Sequence, residues 1–457
     1  MKKPLLLSAF CFLFAVPFEA IAQTYTERED LEFRRVRVTL VPGLSTNGMD
    51  APKYTARYSY NLIAGYHGGL DGYEIGPLNI NKYYMHGVQL GLFNVTAGTV
   101  TGVQISGLGT YTDGNMNGVQ FSGLGNITGG HSQGLMFSGM YNISRGSSSG
   151  IQMAGMFNMS GHSIEGIQVS GLANVARYNI EGVQVSGLAN IASNDIQGIQ
   201  VSGLLNSSGG STEGIVVAGL LNLNGRSMEG VMVSGGVNLA KSLEGLAISG
   251  LINSGRNMSG LQVAGLANIS DRSQGLQMGL INIARDFEGL PIGLVSLYGN
   301  GRKNIEIWTN ETGFTHTGIK LGTRQVYNMI SVGYNPFISD RDVWSVGWSI
   351  GSYRTLDYVW NQPRLENYYR TRDFSITKIQ DGEWSSTLNT LYSYKLIYGR
   401  NFSGGFSLFA GPTFNMLASR QDGHQDYVPY TLYKRSGGER DTRFWIGFTA
   451  GIQFFRH

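Results

Sequence analysis

Gly146-Ser147-Ser148-Ser149-Gly150 has the Gly-x-Ser-x-Gly spacing of a serine nucleophile elbow, which works only where a buried strand turns sharply into a helix. Here the five residues are the connector of a repeat, so a turn is the expected structure. Asp113-Gly114-Asn115-Met116-Asn117-Gly118 opens like a calcium loop, but Leu124 stands where the closing bidentate Glu would be. His67, His86, His131, His162, His316, His424 and His457 are scattered, with no pair at metal-ligand spacing. They are read as surface or interfacial residues. Carboxylates read as sparse and confined to turns, which leaves no acid and base pair to nominate. No Gly-x-Gly-x-x-Gly follows a strand and opens a helix. The expectation is a non-enzyme with no catalytic, cofactor-binding or metal-binding residues and no cofactor.

Composition points away from ordinary soluble enzymes. Of 457 residues 66 are Gly, 14% are charged and one is Cys, with a net charge of +3. That balance argues against a nucleic-acid partner, and one cysteine cannot make a disulfide scaffold. Met1-Lys2-Lys3, the apolar stretch Pro4–Phe18 and Ala20-Ile21-Ala22 have the layout of a secretory signal peptide. Cleavage is expected after Ala22. Cys11 lies inside this leader, so the mature chain would carry no thiol. Beyond it no apolar run reaches transmembrane-helix length, so any membrane crossing must be made by strands.

A unit beginning Gly-aliphatic-Gln-aliphatic-Ser-Gly-Leu-x-Asn recurs fourteen times, at Gly87, Gly102, Gly118, Gly134, Gly150, Gly166, Gly182, Gly198, Gly214, Gly230, Gly245, Gly260, Gly275 and Gly289, with steps of 14 to 16 residues. Charge falls in the connectors, as at Glu165, Arg177, Glu181 and Asp195. β-branched residues sit between connectors rich in Gly, Asn and Ser, so each copy reads as strand bounded by turns. Val183, Val185, Ala189 and Ile191 share one face, Gln184, Ser186 and Asn190 the other. Two architectures fit: a transmembrane β-meander with one strand per copy, or a β-solenoid with two strands and two corners per coil. Copies at Gly87, Gly275 and Gly289 drop a residue mid-unit, whereas those at Gly230, Gly245 and Gly260 drop one in the connector. A deletion inside one strand would flip every later side chain, so both places read as corners and the solenoid is favoured. Asn174, Asn190, Asn206, Asn222, Asn238, Asn253 and Asn268 would then form a corner ladder along the stack.

The flanks, 23–86 and 300–457, read as barrel-type strands. Tyr54, Ala56, Tyr58, Tyr60, Leu62, Ala64 and Tyr66 alternate with Thr55, Arg57, Ser59 and Asn61. Trp344, Val346, Trp348 and Ile350 form a second apolar row; Tyr392, Tyr394, Leu396 and Tyr398 a third; Phe406, Leu408, Ala410 and Phe414 a fourth. In the last strand Phe444, Ile446, Phe448, Ala450, Ile452 and Phe454 oppose Trp445, Gly447, Thr449, Gly451 and Gln453. Apolar-out, polar-in alternation of this length suits an outer-membrane antiparallel β-barrel. Arg420–Asp426 and Arg435–Asp441 read as exposed loops.

In these units the chain resembles surface-repeat proteins of Gram-negative envelopes, whose tandem copies read Gly-Leu-Gln-Ile-(Ala/Ser)-Gly-Leu-x-Asn. The resemblance covers the leader, 87–299 and, less specifically, the C-terminal segment. It implies an outer-membrane or surface location and brings no activity or site residue. The expected organisation is therefore a signal peptide over 1–22, an N-terminal segment with barrel-type strands over 23–86, a repeat over 87–299 and C-terminal barrel-type strands over 300–457. The expected role is structural or multivalent, with outer-membrane lipid as the surroundings and glycan or an envelope protein as candidate partners met through Gln152, Gln168, Gln184, Gln200 and Gln262. The alternative is a passive channel in which the repeats span the membrane around a Gln/Ser/Asn lumen.

Overall fold

The structure is a computed structural model that describes residues 31–338, 341–420, 427–437 and 440–455. The leader, Cys11, His424, His457 and most of the loop expected at Arg420–Asp426 lie outside the described residues. The chain divides into two compact units, 1–195 and 196–457, and each is taken by itself.

In the first unit the copies from Gly118 onward fold into a seven-residue strand and a four-residue strand, as in Ile180–Ser186 and Ala189–Ala192, whereas those at Gly87 and Gly102 run within the continuous strands Leu78–Thr96 and Thr99–Thr112. Each strand pairs in parallel with its equivalent one copy away, Gln168 opposite Gln184 and Asn174 opposite Asn190. Parallel pairing at that interval makes a β-solenoid, and the 16-residue copies break between strands at both places where length varies. The channel alternative needed an antiparallel meander, and the repeats do not form one. The periodic glycine that opens each copy is held at φ between +108° and +149° at all fourteen positions. At Gly166 an added Cβ would sit 2.2 Å from the Gly150 carbonyl oxygen, so both conformation and space require glycine.

The N-terminal segment departs from expectation. Glu32–Val41 pairs in parallel with Tyr54–Asn61, which pairs in parallel with Ala64–Ile75, and that strand with Leu78–Thr96. These strands are the first coils of the stack and take no part in a barrel. Their alternation is real, with Ser59 and Asn61 buried and Tyr58 and Tyr60 exposed, but a solenoid with a polar interior produces the same pattern as a barrel wall. Gly72-Tyr73-Glu74-Ile75 is in register with Gly87-Val88-Gln89-Leu90, a copy of the repeat with Glu in place of Gln.

The second unit begins with further coils, giving about fifteen turns in all. Where coils shorten to 15 residues, the short strand runs directly into the next long one, as in Val237–Ser249 and Ile252–Ala264. Eight antiparallel strands follow: Arg302–Asn310, Thr315–Gly322, Val326–Tyr334, Val343–Thr355, Tyr368–Asp381, Asn389–Phe402, Phe406–Ser419 and Arg440–Phe455. The first pairs with the last, Ile307 opposite Ile452, so the barrel closes. Tyr433–Gly437, which overlaps the loop expected at Arg435–Asp441, pairs as an extra strand with the last one.

Candidate functional site

The coils have an unusual radial order. Gln168, Gln184, Asn174 and Asn190 are fully buried, whereas Ile167, Leu172, Val185 and Leu188 are 37–44% exposed. Of the glutamines expected to present a repeated surface, Gln152, Gln168, Gln184, Gln200 and Gln262 are all at most 4% exposed, so they cannot contact a glycan. The alternation was legible in the sequence. Which face pointed inward was not, because the usual rule puts the apolar face inside.

Buried amides are tolerable only when their hydrogen bonds are made. Asn126 Nδ2 donates to Asn142 Oδ1, Asn142 to Asn158, Asn158 to Asn174 and Asn174 to Asn190, at 2.8 to 3.0 Å. Each Asn also reaches a strand-end carbonyl of the following coil, as Asn174 does to Val185 O at 2.8 Å. The expected asparagine ladder is therefore present, beside the corner and inside it. A glutamine ladder runs the other way, with Gln184 donating to Gln168 and Gln168 to Gln152 at 2.9 and 2.6 Å. The amide dipoles of the two ladders are opposed, which limits the net dipole along the stack.

Nearer the N-terminus Gln120 donates to Gln104, Gln104 to Gln89, and Gln89 to Glu74 Oε2 at 2.9 Å. Glu74 also accepts from Ser59, Asn61 and Asn81, and Arg37 lies 3.5 Å away, both charged side chains fully buried. Burial lowers the Arg37 guanidinium to about 10, against the pull of Glu74. His67, whose Nε2 is 3.0 Å from Asn61 Oδ1, is pushed down to about 2 by burial and by the nearby Arg37. It is a neutral core residue and not the surface or interfacial residue expected.

The barrel too has an apolar outer face, here around a mixed interior. Ile305, Ile307, Ile319, Val332, Leu408, Phe414, Ile446 and Phe448 point outward and are 44–56% exposed. Inside, Trp308, Tyr327, Met329, Tyr353, Tyr369, Ile397 and Phe409 pack as one cluster, and Phe314, Leu391, Leu417, Tyr427 and Trp445 belong to another. Lys320 Nζ lies 2.6 Å from Glu306 Oε1, the Tyr327 hydroxyl donates to Asp373, and Lys395 Nζ stands 4.9 Å from the Trp308 ring. Glu311 accepts from Asn415, Trp445 Nε1 and the Phe448 amide at 2.7 to 2.9 Å. Glu306 and Asp373 stand within strands, as do Glu165 and Glu181 in the repeats, so the expectation that acids are confined to turns is corrected. The signal lay in the inward half of each alternating strand. Each of Glu306 and Asp373 is paired and at most 2% exposed, so this is interior neutralisation, and an eight-strand barrel is just wide enough for side chains to fill.

None of the motifs that suggested chemistry assembles it. Ser148, at the centre of the Gly-x-Ser-x-Gly match, is buried with its Oγ among Ser132, Ser160 and Gln152 Nε2. Asp113 accepts from Tyr111 OH at 3.1 Å within a turn. His316, expected to be a surface or interfacial residue, is 6% exposed and stacked on Trp308. Among the described residues no group of three His, Cys, Asp or Glu could hold a metal ion. An open groove of about 700 Å³ on the first unit is lined by Phe121, Phe137, Met153 and Val169; it is an apolar furrow on the coil exterior. Compared with protein-family models, curated proteins and solved structures, the chain matches none. The functional feature that geometry leaves is the apolar exterior itself.

Proposed function

We propose that this is a non-enzymatic outer-membrane protein, in which the barrel is the bilayer anchor and the coils provide an extended structural or interaction surface. The observation that carries the reading is the barrel's outward band of Ile, Leu, Phe and Tyr around a filled, charge-paired interior. In water such a band would leave a large apolar patch exposed; in lipid it is the favourable solvent. Closure supports the same reading, because the hydrocarbon core cannot satisfy an open sheet edge. The signal-peptide layout and the resemblance to Gram-negative surface-repeat proteins agree with it. With the glutamines inside, any multivalent contact falls to the aliphatic exterior or to the charged turns.

The test is fractionation of the full chain expressed in a Gram-negative host, with the membranes separated by density and washed with urea. The protein should stay with the outer membrane and resist extraction. Recovery in the soluble fraction, or release by urea, would overturn the proposal.

A further inference from the structure

We infer that the Gly-Leu corner of the coils in residues 196–298 is immersed in the acyl chains of the bilayer beside the barrel, an inference that rests on the membrane placement proposed above. Leu204, Leu220, Leu251, Leu266, Leu280 and Leu294 form a ridge along this corner and are 42–56% exposed. Every charged residue between 196 and 298 lies instead on the stretch of strand that leads into the positive-φ glycine, as Arg226, Lys241, Glu244, Asp271 and Arg285 do. These coils are amphipathic in cross-section, with one apolar corner and one charged stretch.

A corner can enter hydrocarbon only if its backbone needs no water. Here Leu220 N donates to Leu204 O, Leu266 N to Leu251 O and Leu294 N to Leu280 O, at 3.0 to 3.2 Å, so the turns are bonded coil to coil. Inside, the Asn ladder continues from Asn206 through Asn222, Asn238 and Asn253 to Asn268. The corner thus meets the condition that excludes ordinary loops from lipid.

What identifies the occupant is where the ridge ends. Gly293 directly precedes Leu294, and its carbonyl accepts from Trp348 Nε1 at 2.9 Å. Trp348 belongs to the outward row Trp344, Val346, Trp348 and Ile350, in the middle of the strand Val343–Thr355. The ridge therefore meets the barrel's outer wall at mid-strand, and whatever solvates that wall also bathes Leu294 and Leu280. A ridge projecting into water would have to leave the wall at one of its rims.

The experiment uses the full chain with Cys11→Ser and single replacements Leu220→Cys or Leu266→Cys on the ridge, Lys241→Cys on the charged stretch and Phe448→Cys on the barrel wall. Each carries a bimane label in phosphatidylcholine vesicles with or without brominated acyl chains. The expected result is loss of most bimane emission at the ridge and at Phe448 in brominated vesicles, with Lys241 unaffected. An unquenched ridge beside a quenched Phe448 would overturn the inference and leave the barrel's placement standing. Absence of quenching at Phe448 as well would overturn both. A ridge shielded from bromine and from aqueous iodide alike would mean a second copy covers it, which also overturns the inference. Two ridge positions guard against one variant failing to fold.

Discussion

Asn328, on the outward side of the barrel strand Val326–Tyr334, donates from Nδ2 to Ser296 Oγ at 3.0 Å. Ser296 is in register with Asn282, which accepts from Asn268, so the barrel supplies the amide that the next coil would have carried. The same Nδ2 reaches Pro291 O at 3.4 Å. A solenoid end normally needs a cap against fraying and edge pairing, and here one strand serves as both cap and wall.

Asn328→Leu should therefore loosen the last coil and leave the barrel intact. Leaving a buried acceptor unsatisfied costs about 1–3 kcal/mol. Hydrogen exchange should quicken across Val295–Tyr298 and stay unchanged across Arg440–Phe455. Equal protection in the variant would mean that the contact contributes nothing.

The interior ladder predicts a contrast between faces. Asn174→Ala removes the bonds to Val185 O and Asn190 Oδ1 and the one accepted from Asn158, whose Nδ2 keeps its bond to Val169 O; leaving the two acceptors without the amide should cost about 2–6 kcal/mol. Val185→Thr, on the exterior, should change stability in detergent by no more than about 0.5 kcal/mol. Denaturant unfolding of the two variants separates a polar-core account from a conventional one, in which the ranking would reverse.

Glycine substitutions should split by environment. Gly166→Ala combines φ +128° with a 2.2 Å approach to a carbonyl oxygen, whereas Gly382, at φ +73°, has nothing near its absent Cβ. Gly382→Ala should cost about 1–2 kcal/mol from backbone conformation alone. Gly166→Ala should cost clearly more and lower the yield of folded protein. Comparable losses for the two would show that the coil-to-coil approach does not constrain the repeat.

Acidification should weaken the first coils through His67. Its folded value is held near 2 by burial, below the ordinary 6.5 of the unfolded chain. Between these limits the unfolded state binds the extra proton, so stability is complete above pH 6.5 and declines as pH falls, by up to about 1.4 kcal/mol per unit. His67→Gln should flatten that decline. Unfolding midpoints measured from pH 7.5 to 4.5 check it, and an unchanged slope in the variant would assign acid sensitivity elsewhere.

The sequence makes some of this legible. Fixed spacing at Gly87 to Gly289 gave the coils, and deletions at two separate places gave the two corners, because length changes are tolerated at corners and not within strands. The barrel rows at Trp344, Tyr392, Phe406 and Phe444 were readable as strands because alternation over a full strand puts every second side chain on one face. Alternation at Tyr54–Tyr66 was readable as strand but not as solenoid, since a polar-cored coil and a barrel wall share the period. The buried network of Arg37, His67 and Glu74 was hidden for a related reason: only the register of Glu74 with Gln89 places a carboxylate in the amide column. Asn328 capping Ser296 depends on a contact between segments 32 residues apart that no local pattern encodes.

The central claim is that the barrel's outward rows face lipid in the outer membrane. Photoreactive lipid incorporated into isolated outer membranes, followed by peptide mapping of the full chain, tests it most directly. The account predicts adducts at Phe444, Phe448 and Ile452 and none at the inward Trp445, Thr449 and Gln453. Adducts confined to one rim, or a protein that carries none, would contradict it.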